Sequence, residues 1–296
     1  MMNAPGRCAV RAALALLVLV GCSPPDAPTP SAPPSTASTS TAPSAAAVPP
    51  PTAASALPAV VQIDAGSRQL LDQLLILRGE TAPADRSEVL SRQFLGTPYV
   101  ANTLVGSESE PEQLVVDLAR VDCFTYADYV EAAKRADTRD GYLAALTQVR
   151  YKNGVVSFPT RRHFFTDWAA AAPAVATDIT TTLGPHAVST QKNLNAKDDG
   201  GVYLPGLPIV SRTVTYLPRA LVDDAVIGAL RTGDYIGAYA EDGGLDVTHV
   251  GIFISGPDGP VLRNASSRAQ DMSVVDSPFR DYLATVPGIV VLRPVQ

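Results

Sequence analysis

Cysteine, histidine and asparagine side chains can together carry acyl transfer, and this chain presents one of each in that order: Cys123 in "RVDCFTYADYV", His249 in "VTHVGIFISG" and Asn264 in "VLRNASS". A thiol nucleophile needs a base within hydrogen-bond reach, and the base needs a partner on its other ring nitrogen. Cys8 and Cys22 lie at the extreme N-terminus, so Cys123 stands alone in the body of the chain with no disulfide partner. A lone cysteine can be a reactive nucleophile or simply a small buried apolar residue. Its placement decides between them. Asp122 is a good N-cap, and apolar residues at 124, 127, 130 and 133 recur at helical spacing, which puts Cys123 in the first turn of a helix. There the unpaired N–H groups and the positive end of the dipole favour a thiolate over a thiol and could also hold an oxyanion.

The base must come from three histidines. His186 sits in the Gly/Pro-flanked polar stretch "TLGPHAVSTQKN" and is expected to be solvated. His163 lies in "FPTRRHFFTDW" beside Arg161, Arg162 and Trp168, a mixture suited to gripping an anionic or sugar-bearing ligand, although a solvated basic face has the same composition. His249 begins an apolar strand that fixes its backbone, and it is the best base. Asn264, on what reads as the adjacent strand, is the candidate orienter; its bland alternative is an ordinary turn-proximal asparagine.

The elements that must hold these groups run from helices to strands. "SRQLLDQLLILRG" has leucines at 70, 71, 74, 75 and 77, with Gly79 as the expected stop; "PADRSEVLSRQFLG" reads as a second helix closed by Gly96. "EQLVVDLARVD" looks extended and feeds the cysteine helix. Further on, a Thr-Gly-Asp turn opens the strand in "RTGDYIGAYAEDGG", then come "VTHVGIFISG" and the strand of "PDGPVLRNASS". "SPFRDYLAT" reads as a short helix with Ser277 as N-cap and Pro278 in its first turn, and "GIVVLRPV" as a closing strand. Short turns imply an antiparallel sheet. The fold class expected is α+β, N-terminal helices packed on a C-terminal antiparallel sheet with the cysteine at a helix N-terminus.

At the N-terminus, Arg7 and Arg11 precede an apolar run, Ala12 to Val20, too short to span a bilayer comfortably: an export signal. Leu19-Val20-Gly21-Cys22 resembles the bacterial lipoprotein box, which implies cleavage before Cys22 and its acylation. Acyl chains anchor without spanning. Ser23 after that cysteine favours an outer-membrane anchor facing the periplasm over an inner-membrane one. From Ser23 to Pro58 there are 11 prolines in 36 residues and Asp26 is the only charge, a composition that cannot offset its ordering entropy and makes a leash. The expected organisation is a signal at 1–21, lipidated Cys22 and linker at 22–58, and a single catalytic domain at 59–296. Without the signal, 21 Lys+Arg face 29 Asp+Glu, a net charge of −8, which excludes nucleic acid as a natural partner.

Taken together, "VDCFTYADYV", "LRTGDYIGAY", "THVGIFISG" and "VLRNASS" resemble the NlpC-like superfamily of bacterial cell-wall cysteine peptidases. The strand-like "LVVDLARVDC" and the aromatic "RRHFFTDW" resemble its N-acetylmuramoyl-L-alanine amidase-like branch. The resemblance implies a papain-like NlpC-type fold, Cys123 as nucleophile, His249 as base and Asn264 as third member; "LGTPYV" places Tyr99 by the substrate. It implies hydrolysis, through a thioester and without a cofactor or metal, of the amide between muramic acid and L-alanine in peptidoglycan or muropeptides. In wider relatives the amide lies within the stem peptide. Arg161, Arg162, His163 and Trp168 would then meet sugar or carboxylate groups. Two departures matter: Phe124 stands where a small hydroxyl residue is commoner, and the third member is often histidine. Rival readings are a zinc amidase, disfavoured by scattered histidines, a non-catalytic peptidoglycan-binding lipoprotein, and a papain-like acyltransferase, where histidine precedes cysteine.

Overall fold

Leucine-rich sequence near the start of the domain forms helices, and β-branched sequence after it forms a sheet; the computed structural model describes residues 61–295. The signal segment, Cys22 and the linker to Pro58 lie outside the described residues. The helices are α1 (Ala65–Glu80), α2 (Arg86–Arg92), α3 (Cys123–Lys134), α4 (Arg139–Arg150), α5 (Asp167–Ala170), α6 (Asp224–Ala229) and α7 (Phe279–Leu283). The strands are β1 (Val61–Ile63), β2 (Leu114–Val116), β3 (Ala176–Asp178), β4 (Val188–Leu194), β5 (Val210–Pro218), β6 (Tyr235–Tyr239), β7 (Val247–Ile254), β8 (Val261–Ser266), β9 (Ser273–Pro278) and β10 (Gly288–Pro294). An eight-stranded sheet runs β4-β5-β10-β6-β7-β8-β9 with β3 also on β10, every pairing antiparallel, while β1 and β2 form a separate parallel pair.

Strand periodicity divides the core in two. Tyr235 and Tyr239 of β6, Val250, Ile252 and Ile254 of β7, and Val290 and Leu292 of β10 pack with α1 to α4. The alternating residues Ile236, Ala238, Phe253, Ile289 and Val291 face the other way, onto α6 and α7. The central strands are therefore covered on both faces, which explains their unbroken apolar runs.

α3 lies deep within the helical layer: every residue from Thr125 to Ala133 is buried, well beyond the one face its periodicity suggested. Its buried acids are answered locally, Asp128 by Arg150 at 2.7 Å and Glu131 by Lys134, Arg135 and the Tyr235 hydroxyl. Arg150 also donates to the Val115 carbonyl, tying α4 and β2 to the cysteine helix.

Local boundaries depart from the sequence expectations for identifiable reasons. Gly79 does not stop α1, which continues to Glu80 and is capped at Thr81, whose hydroxyl bonds the Leu77 carbonyl. The second helix ends at Arg92, and Gly96 makes the turn beyond it at φ +82°. The extended stretch before the cysteine is only Leu114–Val116, because Asp117 folds back to accept from the Ala119 and Arg120 N–H groups. Val188–Leu194, overlapping the polar stretch around His186, is a strand of the β4-β5 hairpin; its mostly exposed residues left no apolar face to see. Ser277 belongs to β9, and the N-cap of α7 is Pro278 without a side-chain bond.

Candidate active site

Cys123 opens α3 beneath a complete capping box. The Asp122 carboxylate accepts from the Phe124 and Thr125 N–H groups at 3.0 and 2.7 Å, and the Thr125 hydroxyl accepts from the Asp122 N–H at 2.9 Å. These bonds fix the helix start to within one residue, and the Cys123 N–H, as a first-turn donor, has no intrahelical acceptor. The N–H groups of Val250, Cys123 and Phe124 face the sulfur and favour its charged form. They do not prevail. Burial first, and the Asp122 carboxylate second, push the thiol up to about 12, so the resting thiolate expected from the helix dipole gives way to a neutral thiol.

His249 stands on β7 immediately before Val250. Its Nε2 lies 2.9 Å from Asn264 Oδ1 on β8. The tautomer follows from Asn264's other contacts. Its amide nitrogen donates to the Leu262 carbonyl at 3.0 Å and to the Ser277 hydroxyl at 3.1 Å. A carbonyl only accepts, so the nitrogen end must lie there and the oxygen end must face the histidine. Nε2 therefore carries the proton, and Nδ1 is left as the basic nitrogen. Burial pulls the His249 pKa below 6.5, partly offset by the Asn264 bond, so the ring is neutral at physiological pH.

Gly251 follows two residues later on the same face. A β-carbon there would lie 2.7 Å from Leu262 Cγ and 3.0 Å from Asn264 Cβ, so the His-Val-Gly sequence lets β8 carry its asparagine close to the ring.

Two more aromatic side chains mark the same place. Tyr99 is held by a backbone bridge to Val121, two residues before Cys123, and by its N–H to the Met272 carbonyl. Tyr282 of α7 packs 6.2 Å from the His249 ring, centroid to centroid. Burial raises both phenols, and the charge of the Cys123 sulfur is the next contribution in each case. Val250, next to His249 in the chain, turns its N–H to the sulfur, and Tyr282, packed on the His249 ring, feels the sulfur's charge, as Tyr99 does, so Tyr99, Cys123, His249 and Asn264 share one region.

Cavities open on both sides of it. One of about 540 Å³ lies between the 102–109 loop and Leu204 and Pro205 of the hairpin connection. It shares Leu104, Asp122 and Arg161 with a smaller cavity of about 140 Å³ reaching Phe124 and His163. On the other side a pocket of about 180 Å³ is lined by His249, Asn264, Arg268, Tyr282 and hydroxyl side chains. Arg268 and Tyr282 were not foreseen; an arginine four residues past Asn264 is the only signal the sequence offered.

The other expected ligand contacts are structural. Trp168 is fully buried, stacked edge-on against Tyr235 at 4.8 Å, because α5 presses it into the helix-side core. Arg162, 2% exposed, donates to the Asp167, Ala171 and Pro173 carbonyls and tethers their loop. His163 donates Nε2–H to the Phe158 carbonyl at 2.7 Å, and burial lowers its pKa to about 4. Arg161 borders two cavities, but Glu112 holds its guanidinium through both carboxylate oxygens, so its charge is already answered. His186 is exposed. Among the described residues no three His, Cys, Asp or Glu side chains gather as metal ligands, and no helix is long and apolar enough to cross a membrane.

Residues 89–289 match the model of a family described as AmiA-like, N-acetylmuramoyl-L-alanine amidase-like. Among solved structures, an N-acetylmuramoyl-L-alanine amidase from Bacteroides uniformis is 25% identical, with 72% of this chain and 99% of that chain covered and a TM-score of 0.57. A second structure described in the same words, from the same organism, is 26% identical over 70% of this chain and 97% of the other, TM-score 0.57. A Legionella pneumophila protein of the DUF1460 family shares the fold at 22% identity, covering 78% of this chain and 95% of its own, TM-score 0.64. No curated protein sequence matches.

Proposed function

From the premise that this chain belongs to the AmiA-like, N-acetylmuramoyl-L-alanine amidase-like family, we propose that it is a cysteine-dependent hydrolase of the amide between muramic acid and L-alanine in peptidoglycan or its fragments. The observation that carries this reading is the His249–Asn264 bond, whose polarity leaves a neutral ring with a basic Nδ1 one residue from the N–H that faces the cysteine sulfur.

A neutral thiol and a neutral imidazole are the working ground state. As the sulfur attacks the amide carbon, its proton passes to Nδ1, and the tetrahedral oxyanion meets the unpaired Cys123 N–H. The C–N bond then breaks, and the imidazolium returns that proton to the departing nitrogen. Water, deprotonated by Nδ1, attacks the thioester; the acid leaves and the thiol is restored. Proton transfer coupled to attack suits a thiol that burial keeps protonated, because the charge is created only once an oxyanion and an imidazolium exist to balance it.

The composition of the first 58 residues supports a periplasm-facing protein anchored by lipid at Cys22. Mass spectrometry of products from defined muropeptides tests the catalytic reading. Free L-alanyl peptides with a muramic acid fragment are expected; cleavage within the stem peptide would replace the proposed bond, and equal turnover by a folded Cys123→Ala protein would end the mechanism.

A further inference from the structure

The small pocket beyond His249 has a polar lining that the hydrolysis itself leaves unused. Tyr282 lines it, and the hydroxyl of this 6% exposed residue is buried without a hydrogen-bond partner, which carries a desolvation cost unless a ligand meets it. Arg268, at the pocket's rim, makes no ion pair among the described residues, and its one side-chain bond is to the Thr285 hydroxyl at 3.2 Å. Thr248, Ser266 and Ser267 complete the polar wall. The nearby carboxylate, Asp271, already accepts from the Ser266 hydroxyl at 2.8 Å and is not within ion-pair distance of Arg268.

A guanidinium without an ion-pair partner and an unmet phenol at one pocket keep donor capacity to spare, and a carboxylate supplies acceptors for both. The direction of the reaction says which part of the substrate brings it. His249 must deliver a proton to the departing nitrogen, so the wall beyond its ring belongs to the amine side of the scissile bond. The opposite groove, along Asp122, Leu104 and Phe158, is left for the acyl side with its sugar.

We propose that Arg268 and Tyr282 form a subsite that binds a carboxylate on the peptide leaving group, making them specificity-determining residues. The side assignment rests on the amidase reading; the carboxylate chemistry of the pocket does not.

The test compares N-acetylmuramoyl-L-alanyl-D-glutamate with its dicarboxamide on the full chain, scoring turnover with the wild-type protein and binding by calorimetry with Cys123→Ala. Wild type is expected to favour the dicarboxylate by about tenfold or more in kcat/KM, mainly through KM, as a charge-assisted bidentate contact would give. Arg268→Gln should bring the ratio close to one, Arg268→Lys should restore part of it, and Tyr282→Phe should lower it severalfold. A ratio unchanged in Arg268→Gln, or equal binding of acid and amide by Cys123→Ala, overturns the subsite. Selective binding of the acid, abolished by Arg268→Gln, in a protein that turns over neither compound would sink the amidase reading and leave the carboxylate subsite standing.

Discussion

His163 and His249 are held in nearly the same way and sit in different surroundings. Each donates Nε2–H to a fixed oxygen, a backbone carbonyl in one case and the Asn264 amide in the other, and burial lowers the pKa of both. The difference is what lies beyond the ring. His163 packs edge-on against Phe158 at 4.9 Å beside the buried Arg162, and its small cavity holds no thiol, whereas His249 stands one residue from the N–H facing a thiol. A lowered pKa and an oriented ring are thus common to a packing residue and a candidate base, and only the neighbour on the second nitrogen separates them.

The comparison can be broken most decisively at the sulfur: Cys123→Ala should abolish muropeptide hydrolysis while thermal melting stays cooperative. His249→Ala should lower kcat by about 10²–10⁴, and His163→Gln by less than about threefold, since it touches nothing that reacts; similar losses in the two would erase the distinction drawn here. Asn264→Ala, which leaves the ring free to adopt the wrong tautomer, should cost on the order of tenfold.

Titration sharpens the contrast further. In the free protein, iodoacetamide should alkylate Cys123 slowly at pH 8 and faster toward pH 12, because a thiol raised to about 12 is ionised only about one part in 10⁴ at pH 8. A plateau near neutrality would mean a resting thiolate. His249 must be neutral to act as base and its pKa lies below 6.5, so the acid limb of kcat/KM should fall below pH 6.5.

His163 gives the smallest effect on activity and a separate one on stability. Between pH 6.5 and about 4 the unfolded chain binds a proton there that the folded chain refuses, so stability is intact above 6.5 and declines as pH falls. The loss should reach roughly 3 kcal/mol near pH 4 by denaturant melts, and His163→Gln should flatten it.

Much of the candidate site was legible because it is built from local rules. Asp122 before an apolar-periodic run announces a helix start, and the structure completes it as a capping box. His249 and Asn264 lie on strands whose apolar runs and flanking turns are plain in the sequence, and β7 and β8 pair as short turns require. The motif "RRHFFTDW" misled because composition does not report direction: arginine and histidine beside aromatics suit a ligand grip, yet the loop turns them inward to satisfy carbonyls and Glu112. Ser277 misled in the same way. It reads as an N-cap, but β9 runs past it and its hydroxyl accepts the Asn264 amide instead.

The order cysteine, histidine, asparagine, the helix start beneath the first and the strands beneath the other two were fixed by short-range sequence, since caps and periodicity act within a few residues. Tertiary structure alone decided the protonation of the sulfur, because desolvation depends on everything that packs over a group and here outweighs the first-turn N–H groups that sequence could foresee. It alone also brought Arg268 and the unpartnered Tyr282 hydroxyl to one pocket from β8's outgoing loop and α7, a meeting that no spacing along the chain encodes.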